Sequence, residues 1–187
     1  MLKLSNFLDE LLKENVVYKT LEKNTADKVK EKFYLNGNLK DGVSDTTIRP
    51  NVFLAYYLYP ELLNNEEWES VFDKSLEKLW LEWGGVSTIE KSSSMFCSKY
   101  SGENNMSYHR GDSWYFINNL VAICMKKLNS KKYQDYITKV ITASEKDLLY
   151  LGVIGRPSEL SSASEQKAEA SLFQLWSAAT FIELLKS

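Results

Sequence analysis

One histidine and two cysteines are too few to close a zinc shell without carboxylates, and nothing near Cys97 or Cys124 has ligand spacing. No metal and no cofactor is therefore expected. Only three prolines and eight glycines interrupt 187 residues, which excludes a loop-rich or low-complexity chain. No apolar run approaches the roughly 18–20 residues of a membrane span. The charged N-terminal stretch around Asp9, Glu10 and Lys13 is no secretory h-region. Nothing here suggests a membrane partner, and the default is a reducing cytoplasm with both thiols free. A net charge of −2 leaves no basic footprint for nucleic acid. Arginine is scarce as well: Arg49, Arg110 and Arg156 are the only three, so their neighbours become informative.

Aromatic residues are in surplus at 13%, with five tryptophans and eleven tyrosines. Two readings follow: a large core between helices, or a cleft lined with rings, as in sugar sites. Trp and Tyr suit the second because each offers a flat apolar face and a hydrogen-bonding edge. With 44% hydrophobic and 26% charged residues, the length suits one soluble domain over residues 1–187.

The hydrophobic spacing predicts an all-α fold of about seven helices, with no strand expected. Leu4, Phe7, Leu8, Leu11 and Leu12 mark the first. Asn24-Thr25 reads as a start signal for a second, through Ala26, Val29 and Phe33 to Tyr34. Pro50 opens a third in the favoured first-turn position, with Pro60 as kink or stop. Residues 66–82 give the clearest stripe, ended by Trp83-Gly84-Gly85. Residues 114–129 are apolar on most sides, residues 131–150 more polar, and residues 168–186 form a last core helix. Residues 36–48, 84–112 and 151–167 are left as loops. A structureless stretch as long as residues 84–112 is usually functional. Apolar helices alternating with polar ones, joined by long loops, suit the inner and outer helices of a toroid better than a four-helix bundle.

Four segments hold unusual chemistry. In Asp45-Thr46-Thr47-Ile48-Arg49-Pro50-Asn51, Arg49 suits either a carboxylate clamp or an ion pair with Asp45. In Tyr108-His109-Arg110-Gly111-Asp112-Ser113-Trp114, Asp112 or Ser113 suits a helix N-cap. The full run of His109, Arg110, Asp112 and Trp114 suits hydroxyl binding and ring stacking. Glu159, in Arg156-Pro157-Ser158-Glu159-Leu160-Ser161, reads either as a solvated loop residue or as a general base aimed into a cleft. Trp83-Gly84-Gly85-Val86-Ser87-Thr88 reads as a glycine helix stop or a close backbone approach.

Taken in order, these segments resemble the C-terminal, glucoamylase-like domain of glycogen debranching enzymes, the amylo-α-1,6-glucosidase domain. D-x-x-I-R-P-N-x-x-L-A-x-x-L over residues 45–58 is similar to that family's R-P-N helix start. Gly85 to Thr88 resembles its G-L-R-T stretch. Residues 108–114 resemble Y-H-x-G-x-x-W. Ser158-Glu159-Leu160 with Gln174-Leu175-Trp176-Ser177-Ala178-Ala179 resembles P-E-L … Q-A-W-S-x-A. The chain departs from that pattern at Arg110, where glutamine is frequent, and at Ser158, where proline is usual.

The resemblance implies an (α/α)6 toroid, of which this chain would supply the C-terminal portion. It also implies inverting hydrolysis of α-1,6-linked glucose in glycogen or a related α-glucan. Glu159 would be the catalytic base. His109 and Trp114 would border the sugar pocket, and Arg49, Asn51 and Asp112 complete the expected substrate-binding set. The general acid would lie in the N-terminal half, so a second chain supplying that half, or self-association, is the expected protein partner. The alternative function is a non-catalytic or degenerate helical module that binds α-glucan or a protein partner.

Overall fold

The computed structural model describes residues 7, 11, 16–104 and 106–187. Among them are six α-helices: α1 (Val16–Phe33), α2 (Asn51–Leu58), α3 (Asn65–Leu79), α4 (Tyr115–Asn129), α5 (Gln134–Lys146) and α6 (Leu175–Lys186). Three two-residue antiparallel ladders accompany them: β1 (Tyr34–Leu35) with β2 (Asn38–Leu39), β3 (Trp80–Leu81) with β4 (Gly85–Val86), and β5 (Ser113–Trp114) with β6 (Leu160–Ser161). The fold is all-α, as the spacing predicts. The expected first helix falls mostly outside the described residues; Phe7 and Leu11 are helical and exposed.

α3 shows how sequence fixes an element. Asn64 accepts from the Glu67 amide at 2.8 Å, and the Glu67 side chain accepts from the Asn64 amide at 3.0 Å. This capping box satisfies two otherwise orphaned donors. Trp68, Val71, Phe72, Leu76 and Leu79 then bury one face at helical spacing. The Trp68 indole donates to the Pro60 carbonyl at 2.7 Å, so the buried ring keeps its polar edge satisfied.

α4 is the central helix: Tyr115 and every residue from 117 to 125 are buried, so it is covered on all sides. α2, α3, α5 and α6 all pack against it. Two buried asparagines on α4 tie down neighbours. Asn118 Oδ1 accepts the Val86 amide at 2.9 Å. Asn119 Oδ1 accepts the Ser144 hydroxyl of α5 at 2.7 Å. A buried amide without such partners is costly, so these bonds fix the seating of the neighbours.

Several boundaries differ from the spacing. α1 runs straight through Asn24-Thr25, because the Thr25 hydroxyl donates back to the Leu21 carbonyl at 2.7 Å and caps nothing. Pro50 is the N-cap of α2, one residue before its first helical position. α3 stops at Leu79, because Trp80 and Leu81 turn into the β3–β4 hairpin. Gly84 there has φ +106, and a Cβ would meet the Lys139 carbonyl oxygen at 2.5 Å. The two glycines therefore serve a hairpin pressed against α5. After Lys146 the chain widens into a π turn, Asp147–Leu151. α6 starts only at Leu175, because Ser171 and Gln174 bond to Glu159 and the Gln174 amide donates to the Pro157 carbonyl.

Candidate functional site

A cleft of about 480 Å³ lies where the loops meet, lined by Asp41, Arg49, Pro50, Asn51, Leu54, Thr88, His109, Trp114, Phe116 and Ile117. Arg49 builds it. Its Nη1 donates to the carbonyls of Thr88 and His109, both at 3.0 Å, and its Nε pairs with Asp41 at 3.2 Å. One guanidinium thus ties loop 36–50 to two points of loop 84–112. The ion-pair partner is Asp41 rather than the expected Asp45, whose carboxylate instead closes a local turn on the Thr47 amide at 2.9 Å. Asp41 also accepts from Asn51 Nδ2 at 2.7 Å, which holds Asn51 at the cleft edge.

The opposite wall is aromatic. His109 stacks nearly parallel on Trp114, with centroids 5.8 Å apart and 11° between planes. The Trp114 indole donates to the Tyr108 carbonyl at 3.0 Å. Phe116 meets Trp114 edge-on and leads to Trp176 at 5.2 Å. Flat faces beside an amide and a carboxylate are what a sugar ring needs, since stacking takes its C–H face and polar groups take its hydroxyls.

Glu159 sits one ring behind this wall. The Tyr108 hydroxyl donates to its Oε1 at 2.6 Å, and the Tyr108 ring packs on Trp114 at 4.6 Å. Gln174 Nε2 donates to the same oxygen at 3.1 Å, and the Ser171 amide donates to Oε2 at 3.1 Å. The backbone is held too: Glu159 N donates to the Ser171 carbonyl, and Tyr115 N donates to the Glu159 carbonyl. The residue is 6% exposed, so it is no solvated loop glutamate. Burial and the neighbouring carboxylate push the Tyr108 phenol well above its usual range, which keeps it a donor.

Asp112 is fully buried and is not among the residues lining the cleft. It caps no helix. The N-cap of α4 is Trp114, with no side-chain cap bond, and Ser113 donates to Asn118 Oδ1 at 3.1 Å. Asp112 Oδ2 accepts the Ser107 hydroxyl at 2.8 Å, while Oδ1 has no hydrogen-bond partner. Burial pushes its carboxyl up to about 6, opposed by the Ser107 bond and helped by the charge of Glu169. This fixes the sign of a pH dependence. A carboxyl whose folded pKa is raised contributes stability below its unfolded value, lost as pH rises through the folded one. Wild-type stability should therefore fall between about pH 4 and pH 7, by at most about 3 kcal/mol. Urea unfolding at both ends of that window should show a flatter profile in Asp112→Asn. An unchanged slope would remove Asp112 as its cause.

The structure thus brings Arg49, Asn51, His109 and Trp114 to one cleft and links Glu159 to it through Tyr108. Segments 36–50 and 84–112 meet at that cleft through Arg49, whereas segment 151–168 contributes no lining residue and joins 84–112 elsewhere, where Ser164 N donates to the Ser98 carbonyl. Sequence reasoning missed Asp41, Ser171 and Asp147. It quoted Tyr108 and Gln174 within motifs without giving either a place at the site. Among the described residues, no group of His, Cys, Asp and Glu is arranged to hold a metal ion, and no helix is long and apolar enough to cross a membrane.

A sequence model of the amylo-alpha-1,6-glucosidase family matches residues 1–183. The chain belongs to the amylo-alpha-1,6-glucosidase family. No curated protein matches it closely enough to count as a relative. Membership makes this a glycogen debranching enzyme-like domain. In an amylo-alpha-1,6-glucosidase family member, a ring-lined cleft with a held carboxylate beside it is the first place to look for glucan chemistry.

Proposed function

We propose that this chain is the base-bearing C-terminal portion of an (α/α)6 α-1,6-glucosidase, with residues 1–187 forming one partial domain. Its substrate is a glucose unit α-1,6-linked to an α-glucan. Glu159 is the general base, and His109, Trp114, Arg49 and Asn51 form the sugar site; Asp112, expected there from the motif, is fully buried off the cleft and serves the stability of the 108–114 loop. The observation that carries this reading is the setting of Glu159: buried, pinned at both backbone atoms, and joined by Tyr108 to the ring wall of the cleft.

Inversion requires an acid on the leaving oxygen and a base on water, their carboxyl groups about 6.5–9.5 Å apart. Glu159 takes the water proton as the glycosidic bond breaks. The leaving oxygen is protonated by an acid from the remaining helices of the toroid. Alone, the chain is expected to release little or no glucose from branched limit dextrin; joined to those helices, it should release it. An assembled domain that binds glucan without releasing glucose would favour the non-catalytic binding module. The occupied state of both Glu159 oxygens is what supports that second reading.

The protein partner is the set of helices that completes the toroid. Leu175 and Trp176 on α6 are 69% and 57% exposed, and Ile182 and Leu185 continue the strip, also more than half exposed. An apolar strip on a core-type helix calls for cover, since large exposed patches are unusual on a monomer. Sedimentation velocity of the isolated chain should therefore show self-association. Substituting Trp176→Glu and Ile182→Glu should reduce it, and a monodisperse wild-type monomer would count against the strip as an interface. The two free thiols, Cys97 and Cys124, accord with a cytoplasmic setting.

A further inference from the structure

The residue before Glu159 is held by a group the reaction does not use. Asp147 opens the π turn after α5 and is fully buried. One of its carboxylate oxygens accepts the Ser158 amide at 2.7 Å, and the other accepts the Ser158 hydroxyl at 2.7 Å. Ser158 is itself fully buried, so neither bond competes with solvent. Charge-assisted bonds of this length are the strong kind. On the far side of Glu159, the Ser161 and Tyr115 hydroxyls lie 2.8 Å apart, and Gln166 donates to Tyr115 at 3.1 Å. The Tyr115 hydroxyl also interacts with Asp147. The segment that presents Glu159 is thus clamped on both sides, and the only full charge in the clamp is Asp147.

A buried carboxylate is costly unless it is satisfied. Serine at position 158 repays that cost with two donors from one residue, which leaves little freedom for the peptide leading into Glu159. We propose that Asp147 is a positioning residue: by gripping Ser158 it sets the direction of the Glu159 carboxylate toward Tyr108 and Gln174. This rests on Glu159 being the base, but its structural half does not.

The test uses the full chain, with Asp147→Ala and Asp147→Asn. Two signals read the position of Glu159 directly: hydrogen exchange of the Ser158 and Glu159 amides, and the ¹³C chemical shift of the Glu159 carboxyl at fixed pH. In Asp147→Ala, exchange at Ser158 should rise about tenfold or more, as expected for a lost bond to a charged acceptor. The Glu159 carboxyl chemical shift should move, while the Trp68 amide in α3 stays protected. Asp147→Asn keeps one acceptor oxygen and should recover part of both changes. It also replaces the alanine variant as the deciding protein if that one fails to fold. In the assembled domain, Asp147→Ala should lower kcat by up to about 100-fold with KM within about twofold, the signature of a misplaced group. An unmoved Glu159 carboxyl signal overturns the proposal, whether or not exchange at Ser158 rises. A wild-type domain without turnover overturns the base assignment instead, and the two NMR signals still decide the positioning.

Discussion

Glu159→Gln is expected to cut glucose release by the assembled domain about 10²–10⁴-fold, equivalent to about 3–5 kcal/mol of transition-state stabilisation. Glucan binding and folding should survive. The amide fills the same volume and has room to keep its bonds. Its oxygen can stay on the Ser171 amide, where Oε2 now accepts at 3.1 Å. Its NH₂ then faces Tyr108, whose hydroxyl accepts as readily as it donates, and Gln174, which can present its carbonyl. What the amide cannot do is take a proton from water. Asp112→Asn is the matched control: its effect should fall on stability and its pH profile, not on turnover. Glucose release measured on both variants separates the two carboxyls. Near-normal hydrolysis by Glu159→Gln with none by Asp112→Asn would move the chemistry to the loop at residues 108–114.

Gly111→Ala is expected to be the most damaging single methyl in the chain. A Cβ at position 111 would lie 1.8 Å from the Cys97 carbonyl oxygen and 2.8 Å from its carbon. No rotamer relieves a clash between Cβ and backbone. The two strands of loop are also stitched there, by Cys97 N to the Arg110 carbonyl at 2.7 Å and by Gly111 N to the Thr88 hydroxyl at 2.9 Å. Overpacking typically costs about 1–3 kcal/mol, and backbone against Cβ belongs at or above that upper end. Thermal unfolding should drop by about 10 °C, at roughly 2–4 °C per kcal/mol for this size. The ring wall should loosen with it, because His109 and Trp114 flank the same turn. A Tm within about 2 °C of wild type would show that the 97–111 contact yields easily.

How much of this was legible in the sequence depends on the range of the interaction. α3 and α4 could be read because a buried face repeats every three or four residues, and Trp68, Phe72, Ile117 and Val121 declare it. The start of α6 could not be. Residues 168–174 look helical by composition, yet Ser171 and Gln174 bond to Glu159, and Ala170 takes φ +58 to allow the turn. Long-range partners override local propensity there. Arg49 failed in the same way: Asp45 is nearer in the chain, but Asp41 is nearer in space. Ordered motifs pointed to the neighbourhood of the site, since they fix which loops matter. They said nothing of Asp147, an aspartate at the end of a polar helix, or of the unpartnered Oδ1 of Asp112. Burial is a property of the assembled fold, and one residue's burial has no local signature.

Arg49 has a consequence for how the cleft tolerates change. Its single side chain reaches the carboxylate of Asp41 and the carbonyls of residues 88 and 109, so the separation of those three points is set by the length of one arginine. Two of its three partners are backbone atoms, indifferent to which side chains the loops carry. The rings along the cleft can therefore be exchanged one at a time while Arg49 and its partners hold the width. An insertion in either loop changes the width at once. Specificity on such a frame is free to drift through side chains while the span between the walls stays constant.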